Sequence, residues 1–231
     1  MLIDFEGIDG SGKGTQAGLL GQRLASHAHP HRLFSFPRYS DTLFGRAVGE
    51  FLNGRFGGLA DVHPFLVSLL FAGDRYETRP LLLEAAAKQE TILCDRYVPS
   101  NVAHQASKRT GAERCELMEK ILQIEYEIYA LPRPDLVLLL DLPVPVSQEL
   151  IASKARRSYT EKAADIQEAD AGYLQGVREV YLELARTEPG WRVIDCAPDG
   201  ALRSKEELSE EIWQVVTETI FRDSSPATDS P

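Results

Sequence analysis

Five short apolar runs punctuate the chain: Leu2-Ile3-Asp4-Phe5, Leu33-Phe34-Ser35-Phe36, Thr91-Ile92-Leu93-Cys94, Leu136-Val137-Leu138-Leu139-Leu140 and Trp191-Arg192-Val193-Ile194. The fourth is apolar at every position, as a strand covered by helices on both faces must be. Helical periodicity fills the intervals. Downstream of Ser153–Thr160, Ile166, Ala169, Tyr173, Val177, Val180 and Leu184 fall three or four apart on one stripe. Leu208, Ile212, Val215, Val216 and Ile220 line one side of a helix predicted over Lys205–Phe221. Alternating strands and helices imply an α/β fold whose parallel sheet is joined by right-handed crossovers. No internal repeat interrupts the pattern. Residues 223–231, built from Asp, Ser, Pro, Ala and Thr, are expected to form a disordered tail.

Composition bounds this picture. With 231 residues, 43% hydrophobic and 26% charged, the chain suits one globular domain, taken as residues 1–222. Its 25 basic against 35 acidic side chains leave a net charge of −10, which disfavours duplex nucleic acid and anionic membrane surfaces as partners. The opening Met1-Leu2-Ile3-Asp4-Phe5-Glu6 has no basic stretch ahead of an apolar core, and no apolar run reaches a membrane-spanning length. A cytoplasmic location is expected. Cys94, Cys115 and Cys196 form neither a disulfide framework nor a zinc pattern and are read as small apolar fillers.

The first strand runs directly into Gly7-Ile8-Asp9-Gly10-Ser11-Gly12-Lys13-Gly14-Thr15, followed by Leu19, Leu20 and Leu24 at helical spacing. Glycines let the backbone fold tightly so that successive N–H groups and a helix N-terminus point at phosphate oxygens, and Lys13 adds a cation. In this strand–loop–helix context the run is a P-loop rather than a connecting turn, so the expected fold is a three-layer P-loop NTPase with a five-stranded sheet. The loop departs from its usual pattern at Gly14, which stands where a Ser or Thr hydroxyl would ligate Mg²⁺, and Thr15 lies about 100° further round the helix. Metal coordination must lean on carboxylates elsewhere. Asp95-Arg96-Tyr97 closes the third strand, where ligands of such sheets bind.

Taken with Glu6 to Lys13, Phe36-Pro37-Arg38-Tyr39, Leu70-Phe71-Ala72-Gly73-Asp74-Arg75 and Asp95-Arg96-Tyr97-Val98-Pro99-Ser100-Asn101, the chain resembles thymidylate kinases from residue 1 to about residue 220. The resemblance implies transfer of the γ-phosphoryl of ATP to dTMP with Mg²⁺, giving dTDP and ADP. That reaction asks for positioning and cationic stabilisation. Lys13, Arg38, Arg96 and the pair Arg156-Arg157 would supply the cations.

By the same resemblance, Arg38 and Arg96 hold the acceptor phosphate, with Phe36, Pro37 and Tyr39 beside it, and Asp9 faces the acceptor sugar and the metal. Asp95 is a Mg²⁺ partner. Phe71 stacks on thymine while Arg75 donates to its carbonyl; the two share a face if Val62 to Tyr76 is helical. Ser100 and Asn101 follow, Asn101 being able to read the N3–H and a neighbouring carbonyl. His104 replaces a common aromatic residue and lines the same site. Ser153 to about residue 165 would be a basic lid, where Arg156 or Arg157 substitutes for the arginine missing from the loop at Gly10. Tyr159 would lie beneath the ribose, with Gln167 near the acceptor and Glu168 near the metal. A homodimer is implied as well.

The alternatives are a kinase for another nucleoside monophosphate, suggested by the adenylate-kinase-like ending Gly-Lys-Gly-Thr-Gln, and a P-loop module that binds nucleotide without turnover. His27, His29 and His31 are read as a loop around Pro30 rather than a metal site, and Glu206, Glu207, Glu210 and Glu211 as a solvated helix face.

Overall fold

The computed structural model describes residues 1–59, 61–153 and 170–222, in which the five apolar runs become one parallel sheet. Its strands are β1 (Leu2–Glu6), β2 (His31–Ser35), β3 (Thr91–Asp95), β4 (Leu136–Asp141) and β5 (Trp191–Asp195), in spatial order β2-β3-β1-β4-β5. The central β1 and β4 are buried nearly throughout, whereas the edge strands β2 and β5 show exposed positions, which is why their sequences mix polar with apolar residues. Phe5 pairs with both Asp95 and Leu138, so β1 and β3 end side by side.

Alternation along the strands divides the core in two. Ile3, Phe5, Leu93, Leu138 and Leu140 meet Leu20 and Leu24 of α1 (Lys13–Ser26) and Ile212 and Val216 of α8 (Lys205–Arg222). On the opposite face Ile92, Cys94, Val137 and Leu139 pack against α4 (Val98–Ala106), α5 (Gly111–Leu122) and α7 (Ala171–Thr187). Each such large side chain contributes about 1.5–3 kcal/mol on leaving water. A smaller cluster of Val48, Phe51, Leu52 and Val67 joins α2 (Leu43–Leu52) to α3 (Pro64–Ala87). α6 (Val144–Ser153) follows β4.

Several expectations shift in detail. The helix carrying Phe71 and Arg75 runs on to Ala87 through Pro80, whose missing N–H leaves the carbonyl of Tyr76 without its helical donor. The stripe through Val177, Val180 and Leu184 is buried in α7, whose first turn is capped by Asp170 accepting from the Tyr173 N–H at 2.9 Å; Ile166 and Ala169 lie outside the described residues. Cys94 and Cys196 are buried fillers, but Cys115 is exposed: it stands two positions from Leu117, the buried side of α5, and therefore faces away. His27 packs on Trp213, His29 Nε2 meets Thr91 Oγ1, and His31 turns to the His29 carbonyl, so the three rings have separate partners. No helix among the described residues is long and apolar enough to cross a membrane. The lid segment beyond Ser153 and the tail from Asp223 lie outside the described residues.

Candidate active site

The loop between β1 and α1 is built by close approach. Gly7 has φ of 140°, and a Cβ there would lie 2.5 Å from the Leu140 carbonyl oxygen, so only glycine lets the loop turn against β4. The chain then wraps around its own lysine. Lys13 Nζ donates to the carbonyls of Gly7 at 2.9 Å and Ile8 at 2.8 Å, and burial, with Arg96 next in weight, lowers its pKa to about 8. Ile8 and Ser11 are buried in this loop, and Ser147 of α6 donates to the Asp9 carbonyl. Above it lies a depression of about 260 Å³ bordered by Gly10, Gly12, Lys13, Gly14 and Thr15.

Gly14 acquires a physical reason. A Cβ at this position would fall 2.7 Å from Asp95 Oδ2, so the carboxylate at the end of β3 occupies the room a Ser or Thr would need. Asp9 and Asp95 both face the depression, and burial raises the Asp95 pKa against the opposing pull of Lys13. Two carboxylates completed by phosphate oxygens and waters form a donor set that fits Mg²⁺, an ion that keeps several waters. Among the described residues no group of three or more protein ligands gathers, and Glu168 lies outside them.

A second cavity, of about 290 Å³, opens beside the first and shares Asp9, Asp95 and Arg96 with it. The predicted Phe36, Pro37, Tyr39, Phe71, Arg75, Ser100, Asn101 and His104 all line it. Arg38 does not: its Nε and Nη2 donate to Asp41, and its backbone N–H donates to Asp74. Arg156, Arg157, Tyr159 and Gln167 lie outside the described residues.

Arg96 joins the two spaces. It has φ of 68°, a left-handed conformation rare for a non-glycine residue, in the turn between β3 and α4. Its Nη2 donates to Asp9 at 2.8 Å, and its Nη1 reaches Ser100 Oγ and His104 Nε2 at 3.2 Å each. Tyr173 donates to the His104 carbonyl, which leaves its oxygen to accept from His104 Nδ1–H at 2.8 Å; Nε2 is then the bare nitrogen that accepts from Arg96. Burial, reinforced by Arg96, holds the His104 pKa well below its ordinary range, so the ring is neutral.

At the far end of the cavity Arg75 is buried. It makes a two-pronged ion pair with Glu125, Nε to Oε2 at 2.5 Å and Nη2 to Oε1 at 2.6 Å, which aims its remaining Nη1 elsewhere. Asn101 spends both amide hydrogens on the Ser68 carbonyl and on Glu125 Oε1, while its Oδ1 is buried with no partner among the described residues. Its expected double role narrows accordingly: towards a ligand Asn101 can only accept.

Glu125 and Glu6 are the residues that sequence reasoning missed. Glu125 stands in a π-helical turn, Gln123–Ile128, that prolongs α5. Nothing in the alternation Ile124-Glu125-Tyr126-Glu127-Ile128 marks it as the buried one. Glu6, fully buried at the end of β1, accepts from the N–H groups of Tyr97 and Ser100, from Ser100 Oγ and from Tyr181 Oη, all within 2.9 Å. It thus caps the N-terminus of α4 with a charge of the favourable sign. An acidic residue ending an apolar strand was the available signal.

A family model described as thymidylate kinase matches residues 5–212. The probable thymidylate kinase of Thermococcus onnurineus is 32% identical over 227 residues, covering 96% of this chain and 100% of that protein. The thymidylate kinase of Deinococcus radiodurans is 31% identical over 220 residues, covering 94% and 97%. The solved thymidylate kinase of Candida albicans shares the fold with a TM-score of 0.73 at 23% identity, covering 95% of this chain and 92% of that one. A family model over most of the length and relatives at 31 and 32% identity end to end lead to one conclusion: the chain belongs to the thymidylate kinase family.

Proposed function

We propose that this protein transfers the γ-phosphoryl group of ATP to dTMP, giving dTDP and ADP, within the single domain 1–222. The observation that carries the reading is that the phosphate-loop depression and the acceptor cavity meet at Asp9, Asp95 and Arg96. A group held in one is thereby presented to the other.

Backbone N–H groups of Gly10 to Thr15 and Lys13 bind the donor phosphates, and Arg96, fixed by Asp9 and His104, spans the gap where charge spreads in the loose transition state. Acceptor phosphate oxygens attack directly, so no covalent enzyme intermediate is needed. Asp9 and Asp95 would hold Mg²⁺, which would supply charge neutralisation for the donor phosphates. Phe71 offers a face to the base, Arg75 Nη1 donates to a carbonyl, and the unmatched Asn101 Oδ1 accepts from N3–H. Cytosine, lacking that N–H, would leave Asn101 unpaired. Arg38 reaches the acceptor phosphate by exchanging Asp41 for it. Arg156 and Arg157 belong to the lid segment in this reading, with Tyr159, Gln167 and Glu168 completing the site.

A homodimer is part of the proposal, supported by exposed apolar side chains such as Leu66 and Tyr76 on α3. Free thiols at all three cysteines suit the cytoplasm, and the net charge of −10 speaks against nucleic-acid polymers and membranes as partners. A coupled assay with MgATP and dTMP, dUMP, UMP, CMP, AMP and GMP tests the reading. Turnover greatest with dTMP is expected; preference for AMP or CMP would overturn it.

A further inference from the structure

The guanidinium of Arg96 is braced by acceptors whose availability is decided elsewhere. Ser100 Oγ gives its proton to Glu6 Oε2 at 2.6 Å, which leaves its lone pairs for Arg96 Nη1. The second brace on Nη1, His104 Nε2, is conditional. It can accept only as a bare nitrogen, while the single proton of the neutral ring sits on Nδ1. A neutral imidazole can carry its proton on either nitrogen, and the hydrogen bond made by one decides the state of the other. With the proton on Nε2, an N–H would face an N–H of the guanidinium and the brace would be lost.

The choice falls to Tyr173, in the first turn of α7, which lines neither the phosphate-loop depression nor the acceptor cavity. Its place is held from two sides. Asp170 accepts from its backbone N–H, and Lys108 Nζ lies 5.6 Å from its ring centre. The hydroxyl oxygen then stands 3.1 Å from the His104 carbonyl and 2.8 Å from His104 Nδ1. A phenol has one proton to give. Given to the carbonyl, which can only accept, it leaves the oxygen to accept from Nδ1–H, and the ring is locked with Nε2 open towards Arg96.

We propose that Tyr173 is a positioning residue for phosphoryl transfer: by holding the His104 proton on Nδ1 it keeps Nε2 an acceptor, and so aims the Arg96 guanidinium between the two substrates. This rests on the reading of Arg96 above and extends it to a side chain outside both spaces. Without the hydroxyl, Nδ1–H loses its acceptor and the ring is free to exchange tautomers. Arg96 Nη2 stays tied to Asp9 at 2.8 Å, so the guanidinium is misaimed rather than released. The loss therefore belongs to the transition state, where charge spreads, and not to the binding of either nucleotide.

The experiment joins spectroscopy to a double-mutant cycle, both in the full-length protein. Long-range proton–nitrogen NMR of the five ¹⁵N-labelled histidines, with His104→Gln identifying the signal, reads which ring nitrogen carries the proton. The unaltered protein should show His104 protonated on Nδ1 alone, and Tyr173→Phe should move that proton wholly or partly to Nε2. Tyr173→Phe should lower kcat roughly tenfold, the worth of one hydrogen bond to a charged group, while the KM values for ATP and dTMP stay within about twofold. His104→Gln places an amide oxygen near the site of Nε2, an acceptor that needs no tautomer. In that background Tyr173→Phe should cost less than about twofold in kcat. Rates are taken per site titrated with ADP, so partial loss of folded material does not enter. A His104 protonated on Nε2 in the unaltered protein, an unchanged kcat in Tyr173→Phe, or an equal loss in both backgrounds overturns the role of Tyr173 while leaving Arg96 its own. An unchanged kcat in Arg96→Ala overturns both.

Discussion

Arg75 holds the fold together and, in the function proposed, also meets the ligand. Its match to a family motif was legible in the sequence, but its ion pair with Glu125, fifty positions away, was not. That contact depends on a π-helical turn rotating one of two similar glutamates inward. The consequence is measurable. Arg75→Ala should not only raise the KM for dTMP but also destabilise the protein by about 3–5 kcal/mol in urea unfolding, because it strands a buried carboxylate. Joining it to Glu125→Leu should recover most of that stability and none of the affinity. Arg96→Ala should lower kcat by about two orders of magnitude or more with little change in the KM for ATP; an unchanged kcat would remove Arg96 from the transition state.

At the scale of elements, all five strands could be read from apolar runs because the sheet is covered on both faces and its central strands tolerate little polarity. The tight fit between elements was hidden, since it depends on distances between segments remote in sequence. The loop at Gly14 illustrates this: sequence reports a missing hydroxyl, whereas the structure reports a carboxylate filling its place. Restoring the hydroxyl should therefore harm the site. Gly14→Ser forces its Cβ against Asp95, and a strain of about 1–3 kcal/mol should appear as a lower melting temperature together with a drop in kcat of roughly tenfold or more. A Gly14→Ser protein with normal or improved kcat would show that Asp95 has room to retreat.

For the whole molecule, the net charge of −10 says little about the phosphate-loop depression, where Lys13 and Arg96 stand beside Asp9 and Asp95. Two buried titratable groups shape its stability instead. Asp4 on β1 is buried, its carboxyl oxygens finding no close hydrogen-bonding partner among the described residues, and burial, aided by the Glu6 carboxylate, keeps its pKa well above the ordinary 3.8. Folded Asp4 holds a proton that unfolded Asp4 releases, so stability declines as pH rises above about 4. His104 is held below its ordinary 6.5, so its contribution declines as pH falls beneath that value. Replacing Asp4 with Val should raise the unfolding free energy measured in urea increasingly from pH 5 to pH 8, by about 1–3 kcal/mol at the upper end, and a pH-independent difference would contradict the buried neutral acid. Glu6 ends β1 where the phosphate loop begins, and it also grips the first turn of the helix bearing Asn101, His104 and Gln105. In the function proposed, donor and acceptor floors are thus hinged on a single side chain, so the affinities of the two nucleotides should be thermodynamically linked. A Glu6→Gln protein should bind dTMP with an affinity much less responsive to bound ADP, and titration calorimetry run in either order must return the same coupling factor.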